Sequence, residues 1–269
     1  MYSTRSSTLT VGGDPELFLY NAKAQVVAPV IGLVGGTKGA PIPLKHGAVQ
    51  EDNVMLELNI IPSATAHDFV LNTTLLLREV EALLRPKGYT LHVASAAKFT
   101  PHDLRSRQAK TFGCSPDYNA YTKGVNPRVK LPDPLMRYAG GHLHVGLTGG
   151  MSDELRINVV KWLDFCIGLL LPELDSSGER TLVYGKAGNY RPTSYGVEYR
   201  TPSNFWLTST TLTKQMFNLT HAAVQRALTH EFTFEVCDPE LMVHAINTND
   251  RKLAKYLRAM SSFSRGLPR

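Results

Sequence analysis

Arg137-Tyr138-Ala139-Gly140-Gly141-His142-Leu143-His144-Val145-Gly146 reads as the strand around which the rest of the chain is arranged. Side chains alternate along a strand, so His142 and His144 share one face while Leu143 and Val145 turn toward a core. The glycines before and after them leave room for a ligand or another backbone to approach. Three other segments repeat the design, polar residues two apart on one face and apolar residues on the other. They are Asp14-Pro15-Glu16, Glu51-Asp52-Asn53-Val54-Met55-Leu56-Glu57-Leu58-Asn59 and Glu198-Tyr199-Arg200. All four are expected to line one cleft.

Working outward, residues 9–20 read as a strand interrupted by a Gly-Gly pair and by Pro15. Proline cannot donate to a ladder, so this strand should be an edge or carry a bulge near Pro15. Residues 46–62 read as one long strand, with Val54, Leu56, Leu58 and Ile60 on the core side and Glu51, Asn53, Glu57 and Asn59 on the other. Residues 66–84 have the apolar spacing of an amphipathic helix stopped by Pro86 and Gly88. A second helix starts at Ser152 and runs to about residue 171 before Pro172, and a third covers residues 208–229. Residues 89–96 read as a strand, residues 183–190 and 195–201 as a hairpin, and Asp238 and Asp250 as caps of two short helices. Residues 98–136 lack periodicity, and so long a connection is expected to bind substrate. The order of elements predicts an α+β fold, a mainly antiparallel sheet with helices on one face.

The 269 residues, 43% of them hydrophobic, are those of an ordinary globular chain. It is expected to form a single domain over residues 1–269, with the motifs in 9–206 and a helical part in 207–269. A formal charge of +6 favours an anionic partner such as a nucleotide, an acidic peptide or nucleic acid. No zinc-knuckle, RNP or basic-zipper pattern argues for nucleic acid. Cys114, Cys166 and Cys237 lack Cys-x-x-Cys spacing, which argues against a disulfide framework or structural zinc and suits a reducing cytosol. The N-terminal residues 1–8 hold no apolar run and no stretch reaches the length of a membrane span, so neither a signal peptide nor a membrane partner is expected.

Taken singly, a His-x-His on a strand is usually a hydrogen-bonded pair, and a Glu-x-Arg a local ion pair of little energy. Together they ask for more. Several carboxylates and two imidazoles on neighbouring strands suit Mg²⁺ or Mn²⁺, while Lys186, Arg191 and Arg200 supply phosphate-binding charge. The combination predicts metal–nucleotide chemistry, although neither a Walker loop nor a kinase signature is present. A metal-dependent hydrolase would use the same acids and histidines but would leave the three cations without a task.

Five motifs in order, Gly12-Gly13-Asp14-Pro15-Glu16, residues 51–62, residues 113–120, residues 140–146 and residues 184–201, resemble the phage-type carboxylate–amine ligases. Those amidoligases are grouped with the glutamine synthetase and glutamate–cysteine ligase fold. The resemblance implies a curved antiparallel sheet forming half a funnel, with helices on its convex face and with ATP and divalent metals inside. It implies metal ligation by Asp14, Glu16, Glu51, Glu57, His144 and Glu198, with Asp14 standing where the pattern has a glutamate. His142 and His144, like Lys186, Arg191 and Arg200, would lie at the nucleotide phosphates. Arg191, Arg200 and Glu57 would take part in catalysis, and Asp52 and Asp117 are candidates for the general base. Small-molecule or peptide carboxylates and amines would be the substrates. A phage-encoded ligase would work in the host cytoplasm, and a virion component that keeps the fold without turnover is the remaining alternative.

Overall fold

A computed structural model describes residues 8–111, 117–127, 131–175 and 178–267, so Gly113 and Cys114 of the third motif lie outside the described residues. The chain opens with β1 (Leu9–Gly13), β2 (Glu16–Asn21), β3 (Val26–Ala28), β4 (Ile42–Leu44), β5 (Gly47–Asp52) and β6 (Met55–Ser63). Then come α1 (Ala66–Leu84), β7 (Tyr89–His92), β8 (Ala96–Lys98), α2 (Arg107–Lys110), β9 (Tyr118–Asn119) and β10 (Met136–Tyr138). After them run β11 (Leu143–Leu147), α3 (Asp153–Cys166), α4 (Leu171–Leu174), α5 (Gly178–Val183), β12 (Asn189–Thr193) and β13 (Gly196–Tyr199). The chain closes with α6 (Thr210–Thr229), α7 (Pro239–Asn247) and α8 (Arg251–Met260).

Eleven strands form one open antiparallel sheet whose main path is β3-β2-β6-β1-β11-β13-β12-β9, with β5, β4 and β7 branching from it and β8 pairing β10 separately. β1 and β2 are one strand broken at Asp14–Pro15, since both run along the same edge of β6. Gly13 opposes Ile60 and Glu16 opposes Glu57. The register slips between Val11 and Gly13, so the irregularity expected near the proline is present, but the strand is central rather than an edge. Pro15 is tolerated there because only its carbonyl is needed, as acceptor for the Leu58 N–H at 3.0 Å.

α1, α3 and α6 pack on one face of the sheet. Thr65 caps α1 by accepting from the Asp68 N–H, and the helix turns Phe69, Leu76, Val80 and Leu84 inward. These meet Leu56, Leu58 and Ile60 of β6 in the main core, where Val11, Leu143, Val145, Val197, Tyr199, Trp162 and Trp206 also lie. Removing each such side chain from water stabilises the fold by about 1.5–3 kcal/mol. The expected α+β architecture with helices on one face is therefore the observed one.

Five boundaries differ from the sequence reading. Residues 89–96 are not one strand, since β7 ends at His92 and β8 starts at Ala96 in a separate pair with β10. Residues 46–62 are a hairpin, turning at Asn53–Val54, where Asn53 adopts a left-handed φ of +56°. The strand expected over 137–147 is split into β10 and β11 by residues 139–142. The second helix stops at Cys166, and Pro172 sits in the first turn of α4 instead of ending a helix, since a first turn needs no N–H from it. Residues 183–190 are mostly not a strand. α5 ends there and a loop follows, with Gly185 and Gly188 at φ of +71° and +77°.

Candidate active site

Residues directly opposed in an antiparallel ladder show their side chains on the same face. Two such rows cross the side of the sheet away from the long helices. In one, Gln50 opposes Glu57, which opposes Glu16. In the other, His144 opposes Glu198, which opposes Arg191. Asp14, in the break between β1 and β2, joins the rows. Its backbone N–H reaches the His142 carbonyl, and two residues on, the Glu16 N–H reaches the Gly140 carbonyl at 2.9 Å. The Gly140 N–H in turn donates to the Glu16 side chain at 2.6 Å.

These contacts gather two groups of three ligating atoms, Asp14 with His144 and Glu198, and Glu16 with Asp52 and Glu57, each within 4.8 Å of one another. The all-carboxylate group is electrostatically frustrated. Burial first, then the charge of Asp52, raises Glu16 to about 7. Burial likewise raises Asp52, and burial with the charges of Asp14, Glu16 and Asp52 raises Glu57 well above the ordinary carboxylate range. A divalent cation is the group that would relieve this repulsion, and three oxygens suit Mg²⁺ or Mn²⁺.

In the mixed group burial acts to raise Asp14, but the charges of His144 and His142 hold it well below the usual value. Burial acts to lower His144, and the Asp14 and Glu198 carboxylates outweigh it and raise the imidazole. His144 Nε2 lies 3.1 Å from Asp14 Oδ1, yet among the described residues it makes no aligned hydrogen bond. Two polar atoms that are close without pairing fit joint ligation of a cation better than a bond between them. On its other side His144 meets the Tyr195 hydroxyl at Nδ1, 2.6 Å away, an outer contact that fixes a ligating imidazole's orientation.

Beside the acids lies a knot of arginine. Arg200, 8% exposed, divides its fork among Glu198 through NH1, Asp117 through Nε at 3.0 Å and the Tyr184 hydroxyl through NH2 at 2.6 Å. Arg191 meets Glu198 at 3.1 Å and Asp117 at 3.3 Å. Asp117, from the long connection expected to bind substrate, thus bridges both guanidinium groups. Beneath them the fully buried Arg180 donates to the carbonyls of Ala139, Thr201 and Pro202 at 2.8, 2.7 and 3.1 Å. It staples the segment carrying His142 to the one following Arg200.

Of the residues singled out in the sequence, Asp14, Glu16, Glu57, His142, His144, Arg191, Glu198 and Arg200 come together here. Glu51 does not. The turn at Asn53–Val54 pairs Gln50 with Glu57, so parity reverses between the arms and Asp52, not Glu51, joins Glu57. Glu51 instead accepts the backbone N–H groups of Gly32, Val34 and Gly35 at 3.0, 3.0 and 2.8 Å, which lowers its pKa against the cost of burial. The Lys186 side chain is exposed, and its carbonyl accepts from Thr201 Oγ1 at 3.1 Å. His142 is 2% exposed, with Asp14 on Nδ1 and Tyr184 on Nε2, so neither nitrogen faces outward. Tyr184, in a segment that read as a strand, and Arg180, in the short helix before it, were not singled out as site residues.

Residues 132–262 match the model of a protein family described as phage phiEco32-like COOH.NH2 ligase-type 2. No curated protein matches the chain. Among solved structures it is similar to a GmaS/ADP complex, at 12% identity and TM-score 0.39, over 96% of this chain and 70% of that one. It is similar to GmaS without ligand, at 12% identity and TM-score 0.40, over 95% and 69%. A third is described as a novel glutamine synthase homolog, at 14% identity and TM-score 0.35, over 97% and 68%. TM-scores of this size do not define a common fold.

Proposed function

We propose, from the match of residues 132–262 to the carboxylate–amine ligase family, that the chain joins a carboxylate to an amine in a reaction driven by ATP and dependent on Mg²⁺ or Mn²⁺. The observation that carries the reading is the pairing, on one wall, of buried carboxylates that need a cation with arginines suited to phosphate. The whole chain acts as one unit in this reading. Asp14, Glu16, Asp52 and Glu57 come from before the matched segment, and His144, Arg191, Glu198 and Arg200 from within it.

A carboxylate is a poor electrophile. Transfer of the γ-phosphoryl group of ATP to its oxygen releases ADP and leaves an acyl phosphate. The amine nitrogen then attacks the carbonyl carbon, phosphate departs with the C–O bonding pair, and the nitrogen gives up a proton. Arg200 and Arg191 would bind the phosphoryl oxygens, the planar fork of each accepting charge that builds during transfer. The two groups of ligating residues would hold the divalent ions, which when bound neutralise phosphate oxygens. Asp117 would set the spacing of the arginines.

The test is ADP and phosphate release with ATP, Mg²⁺ and a panel of amino acids and short peptides, with hydroxylamine to trap the acyl phosphate. A hydroxamate formed only with ATP and one class of carboxylate is expected. Cleavage of an amide or ester without ATP, with no hydroxamate from any carboxylate, would overturn the proposal in favour of a metal-dependent hydrolase.

A further inference from the structure

Tyr184 lies between α5 and β12, with its ring over the Arg180 guanidinium at 4.9 Å. Its hydroxyl has two neighbours, Arg200 NH2 at 2.6 Å and His142 Nε2 at 2.9 Å. A guanidinium only donates, so Tyr184 must accept from Arg200, and its own hydrogen is left for His142 Nε2. A neutral imidazole that accepts at Nε2 carries its hydrogen at Nδ1. Three groups face that position. Asp14 Oδ1 at 3.2 Å and Glu198 Oε1 at 3.4 Å are acceptors, and Arg200 NH1, a donor, is at 3.5 Å, the far limit of hydrogen bonding. The nearer acceptor takes the Nδ1 hydrogen. The chain Arg200 to Tyr184 to His142 to Asp14 is thereby directional at every link.

Of the three groups that hold Arg200, Glu198 and Asp117 are carboxylates, and Glu198 also belongs to a ligating group. Under the ligase reading, metal ions compete for Glu198, and phosphate oxygens compete with both carboxylates for the guanidinium during turnover. The Tyr184 hydroxyl is the neutral contact without such a competitor. We infer that Tyr184 is a positioning residue, its hydroxyl keeping the Arg200 fork aimed at the phosphoryl group while locking His142 in the Nδ1–H tautomer that orients Asp14. The task given to Arg200 rests on the proposed ligase activity, whereas the hydrogen-bond chain does not.

Tyr184→Phe keeps the ring over Arg180 and removes only the hydroxyl. In ¹⁵N-histidine NMR spectra, with His142 assigned by its loss in His142→Gln, the wild type is expected to show Nδ1 protonated and Nε2 bare. The Phe variant should lose that pattern. It should also lower kcat for ATP-dependent hydroxamate formation roughly tenfold to a hundredfold, the scale of misaiming a group near the reacting atoms, and weaken Mn²⁺ binding, because Asp14 loses the imidazole tautomer that orients it. Introduced into Arg200→Lys, the same change should add little, because the two act as a unit. An unchanged His142 tautomer, a full additional loss in the Arg200→Lys background, or lowered melting temperature with kcat intact would each overturn the inference. Wild type without ATP turnover would sink the ligase reading alone, with the NMR pattern still deciding the hydrogen-bond chain.

Discussion

Arg200 has three partners because a guanidinium has three nitrogens, and each lies nearest a different one of Glu198, Asp117 and Tyr184. An ammonium keeps the charge and loses the fork. Arg200→Lys is therefore expected to fold and bind divalent metal nearly as wild type while trapping of acyl phosphate falls about a hundredfold, the scale of one lost preorganised donor. Undiminished trapping would remove Arg200 from the chemistry. The acids set a pH dependence. A carboxyl with a higher pKa folded than unfolded stabilises the fold below its unfolded value and ceases to as pH rises through the folded one. Glu16 moves from 4.5 to about 7, and Asp52 and Glu57 move the same way. The metal-free protein should thus lose stability across that window, on the order of 3 kcal/mol for Glu16 alone. Asp14, held low, contributes in the opposite sense but at more acid pH, outside the window. Urea unfolding in EDTA should show midpoints falling from about pH 5 to about pH 8, and Mg²⁺ should flatten the fall by favouring the ionised forms. Equal slopes with and without Mg²⁺ would remove the cation site.

At the scale of elements, the hairpin of β5 and β6 decides which acid reaches the cleft. Glu51→Gln should cost about 1–3 kcal/mol in urea unfolding, because three backbone N–H groups lose a charged acceptor. Its Mn²⁺ affinity should stay near wild type. Asp52→Asn should do the reverse, weakening Mn²⁺ at least about tenfold while easing repulsion in the metal-free fold. A Glu51→Gln protein that binds Mn²⁺ much more weakly would contradict the parity of the hairpin. That parity was hidden in the sequence because Asn53-Val54 is not a customary hairpin dipeptide, and its one clue, an asparagine able to adopt a left-handed φ, is common outside turns. The alternation of His144 with Val145, and of Glu198 with Val197 and Tyr199, was legible because a half-buried strand writes its two faces into period two. So were α1, α3 and α6, whose caps Thr65, Ser152 and Ser209 or apolar stripes are local signals. The loop after α5 was not legible, since its shape is set by contacts distant in sequence. Arg180 reaches Ala139, and the Ala187 N–H finds the Asn247 side chain at 2.8 Å.

At the scale of the molecule, the two faces of the sheet are coupled through Asp164 of α3. This fully buried carboxylate accepts from the Gly188 N–H at 2.6 Å, from the Tyr199 hydroxyl at 2.7 Å and from the Tyr121 hydroxyl at 2.9 Å. It holds the loop after α5, the back of β13 and the connection that delivers Asp117. Asp164→Asn should destabilise by about 1–3 kcal/mol, since an amide nitrogen turned toward these donors leaves one unpaired. It should also lower turnover by loosening Asp117, which a melting curve and the hydroxamate assay would show together. Mg·ATP should raise the melting temperature of the wild type, by about 2.7 kcal/mol at a hundred times the dissociation constant. ATP with EDTA should do much less, and an equal shift would indicate phosphate on the basic surface instead.

Asp14 meets His142 across 128 positions of chain, and the Asn204 amide donates to the Glu16 carbonyl across 188. Closing loops of that length comes late in folding, after local helices and hairpins have formed. On a ribosome, no partial chain shorter than Arg200 holds both the acids and the arginines, so a nascent protein cannot trap nucleotide and metal before its own synthesis is nearly done. In refolding, recovery of Mn²⁺ binding is expected to lag the return of helical circular dichroism.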